Sequence, residues 1–364
     1  MKHVLTLIQF LCFTSIGYAQ GIYFIESQQI KGNINPAFTG INGSMNFTLI
    51  HQEQYWNDLL DFTTIGLSFE NSNVFNCQRV DWGVSILHDE EGDGNLSSTV
   101  FQPNIVYTVP FKVKKWLHNI RLGLGLSIEY NAIDWTKLTF SDQIDPKGGF
   151  IYQTSFLSPS NSNWRLPIPS FGLVYKFEIK NKFSIKSGLS GKFVYEKYNS
   201  GFFSEPQLKN NIDWTFFIYP EIAIKNSHNT YIGIEPSLLI QKESSLYNFQ
   251  LGTKLHLQNA HGIGVFLNTG HPNGFTENIK SLVYNVFVGI EWGKNKQVIL
   301  SASWIQNIGL IRQFGDTFQV GMKLFFKRNG CGKLNTDKLD CMSFEVDKVL
   351  YDHIWLNPGT GKMN

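Results

Sequence analysis

The sequence LVYNVFVGIEW, residues 282–292, alternates between two kinds of side chain. Its even-numbered positions are all large and apolar, whereas its odd-numbered positions mix asparagine, glycine and glutamate with apolar residues. Because successive side chains of a β-strand point to opposite faces, this alternation predicts a strand with one apolar and one more polar face. The same pattern recurs at 80–86, 232–240 and 318–326.

About fourteen such segments can be counted along the chain. They lie near 44–52, 59–69, 80–88, 98–109, 117–130, 168–180, 182–195, 213–225, 229–240, 245–257, 260–268, 282–292, 296–306 and 315–326. Several reach the roughly 9–11 residues that a tilted strand needs to cross a bilayer, whereas strands of soluble sandwiches average about 5–6. The pattern therefore predicts an all-β fold, a transmembrane antiparallel β-barrel of about 14 strands.

The connections between these segments sort by length. The links after the sixth, eighth, tenth and twelfth segments are short, while the long ones, 131–167, 196–212, 269–281 and 307–314, follow odd-numbered segments. Outer-membrane barrels have short periplasmic turns and longer extracellular loops. If the first strand starts in the periplasm, the sorting predicts that both termini are periplasmic.

Composition agrees with a barrel. Aromatic residues make up 15% of the chain and charged residues only 16%, whereas a soluble domain carries about a quarter charged residues. The formal net charge of +2 and the absence of a basic amphipathic run favour no nucleic-acid partner.

The N-terminus predicts export. A basic start is followed by a short apolar run and by Gly17-Tyr18-Ala19, which places small residues before a cut ahead of Gln20. The resulting division is a signal peptide at 1–19, a periplasmic N-terminal segment at 20–43, the barrel at 44–326 and a periplasmic C-terminal extension at 327–364.

The sequence carries no motif for catalysis, a cofactor or a metal. It has no Gly-x-Ser-x-Gly elbow and no phosphate-binding loop, and its nine histidines do not follow metal-ligand spacing. His256 and His261, five residues apart near a predicted turn, have no third ligand nearby in sequence. We therefore expect a non-catalytic protein.

Three cysteines follow the predicted signal peptide. Cys331 and Cys341 could close a short loop in the C-terminal extension, since export to an oxidising compartment allows a disulfide. Cys77, in a predicted periplasmic turn, could instead pair with either of them. One thiol is left over in each case, and the pairing stays open.

Ordered motifs in the first third of the chain resemble the PorP/SprF family. Asn35-Pro36-Ala37-Phe38-Thr39-Gly40 is similar to the Asn-Pro-Ala-Tyr/Phe-x-Gly motif near the start of that family. Gln54-Tyr55-Trp56 resembles its Gln-Trp signature with a tyrosine inserted, and further blocks match at 63–69, 83–92 and 133–138. The resemblance covers roughly 27–140, and the long C-terminal extension departs from it.

The resemblance implies an outer-membrane component of type IX secretion and gliding motility. Its partners would be outer-membrane lipid, the periplasmic ring and translocon of that system, and a secreted surface protein. The candidate contact residues are Asn35, Pro36, Gly40, Gln54 and Trp56. From its turn chemistry, the Asn-Pro motif is expected to form a turn where the chain enters the periplasmic rim.

Two further functions stay open at this point. A barrel of about fourteen strands has a lumen wider than side chains fill at eight, which allows a transport barrel such as a porin or a hydrophobic-solute channel. A barrel enzyme such as a lipase is the third class, although no motif indicates it.

Overall fold

The computed structural model describes residues 30–326 apart from short gaps, and parts of some strand ends are described by backbone alone. The gaps are 43–44, 58–59, 73–78, 93–95, 114–115, 146–148, 151, 156–161, 165–166, 180–181, 199–206, 228–229, 244–245, 258–260, 272–278, 292–295 and 309–314. The predicted signal peptide, the C-terminal extension, and Cys77, Cys331 and Cys341 lie outside the described residues.

Fourteen antiparallel strands form a closed barrel, as predicted. In chain order they are β1 (Met45–Asn57), β2 (Leu60–Asn71), β3 (Val80–Glu91), β4 (Leu96–Val113), β5 (Trp116–Ala132), β6 (Ile168–Ile179), β7 (Phe183–Tyr198), β8 (Gln207–Ser227), β9 (Thr230–Glu243), β10 (Leu246–Leu257), β11 (His261–His271), β12 (Ile279–Glu291), β13 (Lys296–Asn307) and β14 (Thr317–Phe326). Each strand pairs with its neighbour in sequence, and β14 closes the barrel on β1.

The alternation in sequence becomes the two faces of the wall. On β5, Leu122, Leu124 and Leu126 point outward and are 39–64% exposed, while Arg121 between them points into the lumen and is 4% exposed. Outward side chains of this kind occur on every side of the barrel. Such an apolar belt is costly in water and favourable against hydrocarbon, so the belt marks the membrane-facing surface.

The two ends of the barrel differ in their connections. One end, here the short-turn end, has the connections 114–115, 180–182, 228–229, 258–260 and 292–295. The other, the long-loop end, has 133–167, 199–206, 272–278 and 308–316. The sorting is incomplete, because 72–79 at the short-turn end is longer than 58–59 and 244–245 at the long-loop end. Among the described residues, none of the helices is long and apolar enough to cross a bilayer.

The longest connection, 133–167, has structure of its own. Asp134 caps a 3-10 turn at Trp135–Lys137, and its carboxylate accepts a hydrogen bond from the Thr136 amide at 3.0 Å. Asp142 accepts hydrogen bonds from the backbone amide of Ser155 at 2.6 Å and from its hydroxyl at 2.9 Å. These bonds, the Ser155 amide first, lower the pKa of Asp142 below its ordinary value of 3.8.

Replacing Asp142 by asparagine should loosen this connection without weakening the barrel. A depressed pKa means that the carboxylate stabilises the loop above its unfolded pKa and that this is lost as the pH falls through the folded pKa. We expect faster hydrogen exchange at the Ser155 amide in the variant, and the same change in the native protein below about pH 4. Asp134→Asn should leave the Ser155 amide protected, and equal exchange in both variants would contradict the assignment.

Candidate functional site in the barrel lumen

Residues 30–42, here the lumen segment, run through the interior of the barrel. Asn35 and Ala37 are fully buried, and Phe38 is 1% exposed. Inward-facing residues of eight consecutive strands, β2 to β9, contact the segment. The turn predicted at the barrel rim therefore lies inside the barrel instead, because the wall offers it hydrogen-bond partners and space.

The local chemistry of the segment follows the sequence. A short helix, α1 (Lys31–Ile34), precedes a 3-10 turn at Pro36–Phe38, where the fixed φ of proline suits the first position. The Asn35 side-chain oxygen caps this turn by accepting a hydrogen bond from the Ala37 amide at 2.9 Å. Gly40 has a φ of 72°, a conformation that favours glycine.

Two facing glycines on the wall make room for the motif. Gly123 on β5 and Gly172 on β6 are register partners, and the motif lies directly on them. A Cβ at Gly123 would lie 2.3 Å from the Ala37 nitrogen, and one at Gly172 would lie 2.0 Å from the Asn35 side-chain oxygen. Both distances are far below van der Waals contact, so these strands accept the segment only because they carry no side chain there.

Arg121 holds the far side of the turn. Its Nε donates to the Ala37 carbonyl at 3.0 Å, and one terminal nitrogen donates to the Thr39 carbonyl at 2.6 Å. That nitrogen also lies 2.8 Å from the Asp81 carboxylate, and the other terminal nitrogen donates to Thr108 at 3.0 Å. The arginine thus joins strands β3, β4 and β5 to the segment through charge-assisted hydrogen bonds in a buried site.

Polar side chains from both walls satisfy the remaining backbone groups of α1. Gln102 and Asn104 on β4 donate to the Gly32 carbonyl at 3.1 and 3.2 Å, and Ser190 on β7 donates to the Ile34 carbonyl at 2.7 Å. An unpaired buried carbonyl costs about 1–3 kcal/mol, so these bonds matter for keeping the helix in the lumen.

The end of the segment is fixed next to the start of β1. The Gly40 amide donates to the Glu70 carboxylate at 3.2 Å, and the Gly40 carbonyl accepts a hydrogen bond from Ser72 at 2.8 Å. Glu70 also accepts a hydrogen bond from Asn46 at 3.1 Å. The segment therefore leaves the lumen at the short-turn end, where β1 begins.

Aromatic packing covers the side of the segment away from Arg121. The Phe38 ring lies 4.4 Å from the Phe217 ring and 6.2 Å from the Tyr219 ring, measured between centroids. Val174 and Leu239 complete this buried cluster. Most of the barrel's inward face is polar, so this apolar contact gives the segment a hydrophobic anchor within an otherwise hydrophilic lumen.

The structure brings together only part of the candidate set. Asn35, Pro36 and Gly40 lie in one segment, whereas Gln54 lies toward the long-loop end of β1, eight residues beyond Asn46. The backbone of Trp56 lies in β1, but its side chain is outside the described residues. In the described part of the chain, no group of three His, Cys, Asp or Glu side chains is arranged to hold a metal ion.

Sequence reasoning missed Arg121, Gly123 and Gly172. Arg121 carries one signal, since a charged residue on a strand whose alternate positions are leucine must face the lumen. The glycines carry a weaker signal, because glycine within a strand often marks the close approach of another backbone.

A family comparison identifies the protein class. Residues 28–323 match the family described as "Type IX secretion system membrane protein PorP/SprF". The chain belongs to the PorP/SprF family. Family membership and the barrel fold together make it an outer-membrane component of type IX secretion. The match begins just before the lumen segment and includes thirteen of the strands completely.

Solved structures similar to this PorP/SprF chain are outer-membrane proteins at low identity. The CymD monoaromatic hydrocarbon channel is 9% identical, with 85% of this chain and 95% of that chain covered and a TM-score of 0.41. The KdgM porin in complex with disordered oligogalacturonate is 9% identical, with 78% and 99% covered and a TM-score of 0.37. CdiB from Acinetobacter baumannii is 7% identical, with 78% and 60% covered and a TM-score of 0.38. Comparison with curated protein sequences finds no match.

Proposed function

We propose that this PorP/SprF protein is a non-catalytic component of type IX secretion and gliding that assists export or surface anchoring of client proteins through protein–protein contacts. The observation that carries the proposal, beside the family, is the occupied lumen. A segment held by hydrogen bonds, an arginine clamp and an aromatic cluster suits a scaffold better than an open pore. The rival function, a porin or hydrophobic-solute channel, needs a continuous path through the same space.

The proposed orientation places the short-turn end and both termini in the periplasm. Short turns on the periplasmic side are the rule for barrels of this kind. The predicted signal peptide at 1–19 and the extension at 327–364 belong to the same proposal, with the extension and its candidate disulfide Cys331–Cys341 available to a periplasmic partner.

The partner-facing surface is proposed to be the short-turn end, which is rich in lysine. The lysines in its turns and adjoining strand ends are Lys112, Lys114, Lys115, Lys180, Lys182, Lys225, Lys294 and Lys296. Clustered positive charge steers an acidic partner and fixes its orientation. An acidic surface of the periplasmic ring is the partner that this charge would fit.

Neutralising these lysines to glutamine should weaken the complex with the ring. We expect recovery of ring proteins to fall severalfold when the tagged variant is purified from native membranes, and the loss to be larger at higher ionic strength. Lys137→Gln, an exposed lysine in the long-loop connection, is the matched control and should leave recovery unchanged. Unchanged recovery in the multiple variant would remove the lysine surface from the proposal.

The rival transport function has a direct test. Intact protein in planar bilayers should conduct poorly if the lumen segment stays in place, whereas a porin should show stable, ohmic openings. Stable conductance of the native chain would favour the transport barrel over the scaffold.

A further inference from the structure

A second group of lumen residues, apart from the motif contacts, carries unusual positive charge. The ammonium group of Lys31 lies 5.6 Å from the centroid of the Phe38 ring and 5.7 Å from that of Tyr219. Lys254 on β10 lies 5.5 Å from the Phe266 ring centroid. In both cases the aromatic face supports the ammonium group from one side, while its remaining N–H donors can serve another acceptor.

A third lysine reaches the same compartment from the opposite wall. Lys323 on β14 lies 5.2 Å from the Phe325 ring centroid. The charges of Lys254, Lys323 and also Lys186 on β7 all act on Lys31, which is completely buried. Four ammonium groups from the lumen segment and three separate strands therefore share one region of the lumen.

Carboxylates in this region are fewer. Glu235 acts on Lys31, and its oxygen lies 3.9 Å from Nε2 of His256. Glu70 acts on Lys323, but it already accepts hydrogen bonds from Gly40 and Asn46. Among the described residues that interact with these lysines, cations thus outnumber anions. Gathering like charges in a space shielded from water is unfavourable unless an anion joins them.

An independent observation points to a missing acceptor or donor partner next to Lys323. Gln297 on β13 is 1% exposed, and neither the oxygen nor the nitrogen of its side-chain amide has a hydrogen-bond partner. Its strand neighbour Ile299 is the register partner of Lys323, so Gln297 and Lys323 are diagonal neighbours on the inward face. Buried amides are nearly always hydrogen-bonded, and an unsatisfied one in a lumen marks a place for a ligand.

We propose that the compartment lined by Lys31, Lys254, Lys323 and Gln297 binds an oxyanion, the carboxylate or phosphate group of an acidic ligand. Ammonium groups and an amide N–H are donors, and oxyanions accept several such bonds at once. The lumen segment contributes Lys31, so the anion would tie the segment to β10 and β14 on the far wall. The site goes beyond the proposed role in secretion and does not depend on it.

Calorimetric titration of the intact, detergent-purified protein with inorganic phosphate at constant ionic strength tests the site. We expect saturable binding, with Lys254→Met and Lys323→Met each weakening it about tenfold, because each removes one charge-assisted contact. Methionine keeps an apolar stem against the aromatic ring. Lys182→Met, an exposed lysine in a short turn, is the matched control and should bind as the native protein does.

Two further arms separate the sources of the oxyanion. Acetate and a short peptide with a free C-terminal carboxylate should compete with phosphate, and the same peptide with an amidated C-terminus should not. Tighter binding of the peptide than of acetate would point to a polypeptide ligand, and equal binding to a small free anion. The proposal fails if phosphate and acetate both show no saturable binding, or if all three lysine variants respond alike.

Discussion

Replacing Gly123 and Gly172 together by alanine should drive the lumen segment out of the barrel and open a conducting path. The two added Cβ atoms would lie 2.3 Å from the Ala37 nitrogen and 2.0 Å from the Asn35 side-chain oxygen, and the first of these belongs to the backbone. An overpacked contact costs about 1–3 kcal/mol per site, enough to reverse the position of a short segment. In planar bilayers, we expect the variant to show openings that the native chain lacks.

The matched control is Gly264→Ala on β11, on the opposite wall. A Cβ there would meet only side-chain atoms of Phe266 and Lys254, none closer than 2.9 Å, and would not touch the segment. It should conduct as poorly as the native protein. Equal conductance of the double variant and the native chain, with both correctly folded, would mean that the two glycines do not hold the segment.

Replacing Arg121 by methionine should be among the most destabilising single changes in the lumen. Both Arg121 and Asp81 are only 5% exposed at the side chain, so removing the arginine leaves a buried carboxylate without its cation. Breaking a buried pair in this way costs about 3–5 kcal/mol, and the Ala37 and Thr39 carbonyls also lose their donor. Denaturant unfolding in lipid vesicles measures the change in the free energy of unfolding.

A double-mutant cycle separates the ion pair from the contacts with the segment. Asp81→Asn added to Arg121→Met should recover part of the loss, because the buried carboxylate is then neutral. The unrecovered part belongs to the segment carbonyls. A loss for Arg121→Met below about 1 kcal/mol would contradict the clamp, since that is the range of surface pairs.

The barrel was predictable because it follows from local periodicity. One face of a strand such as 282–292 must be apolar to meet lipid, and this constraint is written into every second residue. The strand count was correct for the same reason, while strand ends were less accurate. Strand β4 extends to Val113 and β8 begins at Gln207, because strands continue beyond the bilayer where apolar alternation is no longer required.

The position of the Asn-Pro motif was not predictable from its own residues. Its turn chemistry was read correctly, since Pro36 begins a turn and Gly40 adopts a positive φ. Its location depends on Gly123 and Gly172, which are far away in sequence and face each other only through the register of β5 and β6. No local pattern encodes which wall leaves space for a segment, so the motif was expected at the rim.

Cross-linking in native outer membranes tests the central claim, that residues 30–42 occupy the lumen. Cysteines replacing Asn33 and Ser85, whose side chains are hydrogen-bonded, should react with a short thiol cross-linker after Cys77, Cys331 and Cys341 are changed to serine. Cysteines at Asn285 and Ser303, register partners in the wall, are the positive control. We predict linked peptides for both pairs in mass spectra. Linkage at the wall pair with none between positions 33 and 85 would contradict the account.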